Sequence, residues 1–149
     1  VTEVLFYHLD RQPLERVLPE LLEKCLERGW RTVVQVGSDE RRDALDAHLW
    51  TYRDEGFLPH GTVKDGNAEV QPVWLTAGDD NPNAATVRFL ADGAELPNLA
   101  GYTRVVMLFD GQDPDAVDRA RAAWKTVKAA GHDATYWQQS ERGRWEKKG

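Results

Sequence analysis

Near the C-terminal end, four residues combine charge and an aromatic ring within two turns: Arg121, Trp124, Lys125 and Lys128. At about 100° per residue they share one side of a helix with Val117. A guanidinium can hold a carboxylate through two parallel hydrogen bonds. Trp124, Val117 and a neighbouring apolar residue could wall a pocket for an aromatic ring. Lys125 and Lys128 would draw in further acidic residues. The chemistry implied is capture of an acidic, aromatic peptide, including one with a free terminal carboxylate. The same pattern also fits a Trp at the core margin with its cations solvating the outside.

Other residue types point away from catalysis. The four histidines, His8, His48, His60 and His132, form no HExxH or other metal spacing, and Cys25 stands alone. Neither a metal nor a cofactor is therefore expected. His8 and His60 read as structural residues. Asp79-Asp80 is a tight acidic pair in a loop, where such pairs usually serve solvation. The strand–Gly37-Ser38-Asp39–helix turn could bind phosphate at a helix N-terminus. It lacks GxGxxG and GK[ST], however, and Asp39-Glu40 would repel an anion. Asp110-Gly111 follows an apolar strand, where α/β folds often place ligands. No GxSxG elbow is present. An α/β nucleotide-binding domain or enzyme using the strand ends near Gly37 and Asp110 remains the alternative reading.

The elements that must position these residues follow from periodicity. Val4-Leu5-Phe6-Tyr7 reads as a buried strand. Leu14, Val17, Leu18, Leu21, Leu22, Cys25 and Leu26 make one apolar helix face ended by Gly29. Pro19 either kinks that helix or marks the first turn of its main part. Arg31–Val36 is the second strand, which completes a right-handed parallel crossover unit. Ser38 or Asp39 caps a second helix carrying Leu45, Leu49 and Trp50. Asp54, Glu55 and Gly56 stop it, and Phe57-Leu58-Pro59-His60 resumes as an extended apolar segment.

Strands are then expected at Pro72–Thr76, Thr86–Leu90 and Arg104–Phe109, the last apolar on both faces and so central. Asp113 caps the final helix, with Pro114 at its first position. Ala116, Ala120, Ala123, Val127 and Ala130 gather on a small-residue side that can lie close to a sheet. Gly131 ends it, and Asp133–Gln138 with Arg144–Lys147 closes the chain as a hairpin. The pattern predicts one domain over 1–149, α/β in class: a three-layer, Rossmann-like α/β/α arrangement around a mostly parallel sheet.

Composition sets the outer limits. A chain of 149 residues can bury a substantial core. No apolar run approaches the roughly 20 residues of a membrane span. No signal peptide is visible, and a single cysteine suits a reducing cytosol, so a cytoplasmic protein is expected. The net charge of −6 argues against a surface that grips nucleic acid all over. Residues 113–149 carry eight Lys/Arg and six Asp/Glu, a basic end on an acidic body. That asymmetry suggests a local anion site rather than a DNA cradle.

The stretch Arg41 to His60, with large aromatic and charged groups close to a chain reversal, looks more like a docking surface than an enzyme pocket. Its spacing Arg41…Leu45-Asp46…Leu49-Trp50…Phe57-x-Pro59-His60 resembles the chi subunit of bacterial DNA polymerase III holoenzyme. Leu5-Phe6-Tyr7-His8-Leu9 and the late helix from Arg119 to Gly131 resemble the same family, so the likeness covers nearly the whole chain. It implies an accessory subunit of the clamp-loader assembly in DNA replication, with no chemistry of its own. It implies binding of the acidic C-terminal tail of single-stranded DNA-binding protein, which ends in Pro-Phe. Carried across, the tail site is Arg121, Trp124 and Lys125, with Trp50 contributing and Val117 and Lys128 beside them. Val117 stands where family members can carry a cation, and Lys128 or Arg119 would compensate. The resemblance also implies a psi-subunit interface at Phe57, Leu58, Pro59 and His60. Contact with nucleic acid would be mainly indirect, through the coated strand.

Overall fold

The computed structural model describes residues 2–10, 12–51 and 59–148. The chain order is β1 (Glu3–Leu9), α1 (Leu14–Glu27), β2 (Thr32–Gln35), α2 (Asp39–Thr51), β3 (Val73–Thr76), β4 (Val87–Leu90), β5 (Arg104–Asp110), α3 (Pro114–Ala129), β6 (Asp133–Gln139) and β7 (Trp145–Lys147). A single 3₁₀ turn, Ala68–Val70, precedes β3. The strands form one sheet in the order β3-β2-β4-β5-β1-β6-β7. All neighbours pair parallel except β6 and β7, which form the expected hairpin. β5 is the middle strand of the seven, as its apolar character on both faces requires.

Alternation along the strands decides which helix covers which face. Leu5, Val34, Leu75, Phe89, Val106 and Leu108 meet the apolar stripes of α1 and α2, including Leu18, Leu22, Leu45 and Leu49. Val4, Phe6, Leu90, Val105 and Phe109 face the small-residue side of α3. Ala116, Ala120, Ala123 and Val127 are buried there as the wheel predicts. Ala130 is not: it lies one residue past the helix, as the exposed C-cap. The three layers of the α/β/α arrangement are thus present, with Asp113 capping α3 through the Asp115 N–H.

Pro19 neither ends nor restarts α1. It is buried in the middle of a continuous helix. The second helix begins with Ser38 as the capping residue, its Oγ accepting from the Arg41 N–H at 3.2 Å.

On the α3 side, none of the described helices lies over β3, β2 or the Arg88 end of β4. Loops 77–86 and 91–103 close that half instead, and Arg88 of β4 holds them. Its side chain is completely buried. The guanidinium donates to the carbonyls of Gly78 (2.7 Å) and Asp80 (3.0 Å), to the Tyr102 hydroxyl (2.9 Å) and to Oε1 of Gln35 (2.7 Å). The acidic loop pair contributes to the same closure. Asp80 accepts hydrogen bonds from the Trp74 indole and the Thr76 hydroxyl. Asp80 is therefore a structural acceptor within this loop.

Candidate functional site

The face of α3 that carries charge overlies a floor of aromatic rings. Trp124 is half-buried, its ring edge-on to Phe6 of β1 (5.2 Å between centroids) and to Tyr136 of β6 (6.4 Å). Phe6 and Tyr136 are direct neighbours in the β1–β6 register, which is why one indole reaches both. Val117 is half-buried in the same cluster, one helical turn before Arg121. Lys128 places its Nζ 5.7 Å from the centre of the Trp124 ring. Arg121, Lys125 and Lys128 are exposed. All five α3 residues singled out in the sequence, Val117, Arg121, Trp124, Lys125 and Lys128, therefore share one helix face or its border.

The structure adds two residues to that set. The Tyr136 hydroxyl is hydrogen-bonded to Nδ1 of His8, which lies in β1 on the same face as Phe6. Burial raises the Tyr136 phenol above its ordinary value, and the nearby Arg121 guanidinium opposes that rise. Gly111 makes room for His8: a Cβ there would fall 1.8 Å from the imidazole Nε2. Tyr136 and His8 are remote in sequence from α3. The alternation of β6 put Tyr136 on one face, but strand order was needed to know which.

Trp50 is not part of this group. It lies on α2, across the sheet from α3, and is 47% exposed. Its ring packs 4.3 Å from that of His60. His60 itself is buried, with Nε2 3.0 Å from Oδ1 of Asp46. Its covered imidazole, held by a carboxylate, packs against Trp50, so within the expected interface segment it supports the exposed indole. Pro59 is half-buried beside it, while Phe57 and Leu58 lie outside the described residues. The structure therefore groups Trp50 with the Pro59-His60 segment, away from the tail site it was expected to join.

The strand end at Asp110 borders a cavity of about 570 Å³ at the carboxyl ends of β1, β4 and β5, whose lining does not include Gly37. Its position is the one where doubly wound sheets bind ligands. Its chemistry is wrong for a nucleotide. Asp10, Glu15, Asp92, Asp110 and Asp113 line it, against Arg41 and Arg119. Gly37 also has its N–H committed, donating to the Asp92 carbonyl at 3.2 Å. A Cβ at Gly37 would lie 2.5 Å from that carbonyl, so this glycine serves close backbone packing rather than phosphate binding. Burial raises the Asp92 carboxyl above its ordinary value, partly offset by Arg41 and reinforced by Glu15. Among the described residues, no group of three or more His, Cys, Asp or Glu is arranged to hold a metal ion. Nor is any helix there long and apolar enough to cross a membrane.

Fold and site together define a doubly wound, parallel α/β protein that carries a cationic, aromatic helix face and no phosphate loop. Comparison with known proteins makes this specific. The family model for the DNA polymerase III chi subunit, HolC, matches residues 1–135, and the chain belongs to that family. It is similar to the DNA polymerase III subunit chi of Pseudomonas aeruginosa, 31% identical over 138 residues, covering 89% of this chain and 93% of that protein. It is also similar to a probable DNA polymerase III subunit chi of Rickettsia prowazekii, 25% identical over 103 residues, covering 69% of this chain. The match spans 62% of the length of the Rickettsia protein.

Proposed function

We propose that this chain is a chi-like adaptor within the DNA polymerase III assembly, acting as one unit without chemistry of its own. Its α3 face receives the acidic C-terminal tail of single-stranded DNA-binding protein. The observation that carries this reading is the half-buried Trp124 ring on the α3 face that also exposes Arg121, Lys125 and Lys128, with the Lys128 ammonium 5.7 Å from the ring centre. A terminal carboxylate can bind Arg121 in two-point fashion while the preceding aromatic ring packs on Trp124 and Val117. Lys125 and Lys128 then meet the acidic residues further up the tail.

The second contact is with psi and, through it, the clamp loader. Trp50 and Pro59 support this assignment, because an exposed indole braced by a buried histidine that Asp46 holds is a suitable anchor for a partner. Its position across the sheet would let both partners bind at once. Single-stranded DNA would then be reached mainly through its protein coat.

The deciding experiment is a fluorescence-anisotropy titration of a labelled acidic peptide ending in Pro-Phe, at low and moderate salt. The expected result is saturable binding that weakens with salt and is lost in Arg121→Ala. No saturable binding, or equal binding by Arg121→Ala, would overturn the assignment of the tail to α3.

A further inference from the structure

The other face of the sheet carries a second aromatic surface that none of these contacts uses. The geometry points to a binding platform for single-stranded nucleic acid on β1, β6 and β7. Tyr7, Trp137 and Lys147 stand in one cross-strand row, set by the Tyr7–Trp137 and Trp137–Lys147 pairings. Trp145, on the same side as Lys147, tilts over Tyr7 with ring centroids 4.7 Å apart. All three rings are half-buried rather than sealed.

They remain partly exposed because of the topology. On this face α1 packs over β5 and α2 over β3, while β6 and β7 extend the sheet beyond them. The flank of α1 is separated from the hairpin by a cleft whose lining includes Leu21, Lys24, Arg144 and Trp145. The Trp137 indole N–H is satisfied within its own strand by the Thr135 hydroxyl at 2.9 Å. Its hydrogen-bonding need is therefore met without a ligand, and a ring face is what it can offer one.

Charge selects the occupant. Lys24, Arg144 and Lys147 border the Trp145 end of the rings with Glu20 in the cleft, while Glu3, paired with Arg104, and Asp133 lie at the far end of the same face. Glu146 alternates to the opposite face and pairs with Lys148. Flat rings on a sheet bordered by cations suit unpaired bases, which stack on aromatic faces while lysine and arginine follow the phosphates. The acidic charge of the whole chain would confine contact to this border, keeping it short and salt-sensitive. In a subunit held near a coated strand, such a site would take hold of bases as the coat shifts.

The test uses the full chain and a fluorescent oligothymidine, read by anisotropy at low salt and by quenching of the intrinsic tryptophan emission. Wild type should bind and be quenched, with affinity falling steeply as salt rises. Trp145→Ala should weaken binding by about tenfold or more, the scale expected for losing one stacked base. Arg121→Ala, on the opposite face, should bind the oligonucleotide like wild type. Lys147→Glu, at an exposed position, provides a second check if Trp145→Ala folds poorly, and should weaken binding and flatten the salt dependence. Absence of saturable binding by wild type at low salt would overturn the proposal. So would loss of binding in Arg121→Ala with retention in Lys147→Glu, or a self-association of wild type that Lys147→Glu abolishes while oligonucleotide binding is unchanged.

Discussion

Nε2 of His48 lies 2.6 Å from the carbonyl oxygen of Glu15. That carbonyl is the one Pro19 deprives of its helical partner, because residue 19 should supply the N–H four residues on and proline has none. A side chain of α2 thus supplies the donor that α1 gives up. The bond ties the two helices that share one face of the sheet, and it accounts for how a buried proline sits inside an unbroken helix.

Replacing His48 with alanine should therefore cost about 1 kcal/mol, the usual net worth of one such hydrogen bond. Urea unfolding would show it as a lower midpoint with an unchanged slope. An unchanged midpoint would mean that water serves the Glu15 carbonyl equally well.

Arg88 makes a larger prediction. Its charge is fully buried, and every contact described above goes to a neutral acceptor on the strands and loops it joins. Arg88→Met keeps much of the volume but strands those acceptors, so a loss of about 3 kcal/mol or more is expected. The loops it anchors should also become protease-sensitive before the rest of the chain unfolds.

Asp92 should show the opposite sign. Its folded carboxyl titrates above its ordinary value of 3.8 because burial disfavours the charge. The folded state therefore holds its proton to higher pH than the unfolded state does. That contribution to stability is greatest below the unfolded value and is lost as pH rises through the folded one. Asp92→Asn should raise the melting temperature at neutral pH relative to wild type, with the gain shrinking as pH falls below the folded value. Asparagine also tolerates the left-handed backbone at this position, where φ is 49°. A melting temperature lowered at neutral pH would count against the argument.

Within the α3 face, charge and contact should separate. Lys128→Ala is expected to reduce peptide affinity only a few-fold and mostly at low salt, since its ammonium is exposed and screened. Tyr136→Phe removes the hydroxyl bonded to His8 while keeping the ring under Trp124. If the hydroxyl orders the Arg121 environment, affinity should fall at all salt concentrations. A salt-dependent loss alone would mean that only charge matters there.

Much of this was written in local pattern. The helical stripe of α1, the Asp113-Pro114 start of α3 and the alanine side of that helix each depend on neighbours within a few turns. Periodicity and capping report such neighbours directly. The cluster of Val117, Arg121, Trp124, Lys125 and Lys128 was legible for the same reason, since one helix brings its own residues together. The family likeness came from residues spread along the chain, and the match over residues 1–135 bears it out.

Strand order decided the rest. Only the placement of β6 beside β1 puts Tyr136 and His8 under the α3 site, and the β7 edge leaves Trp137 and Trp145 half-buried on the other face. The side of the sheet taken by α2 separates Trp50 from Arg121 although both sit on helices with similar surface chemistry. Arg88 looked like one polar residue in a short strand; the loops that fold over it made it a buried anchor. Pairing across a sheet joins residues more than 100 positions apart, and no local preference records which strand will lie next to which.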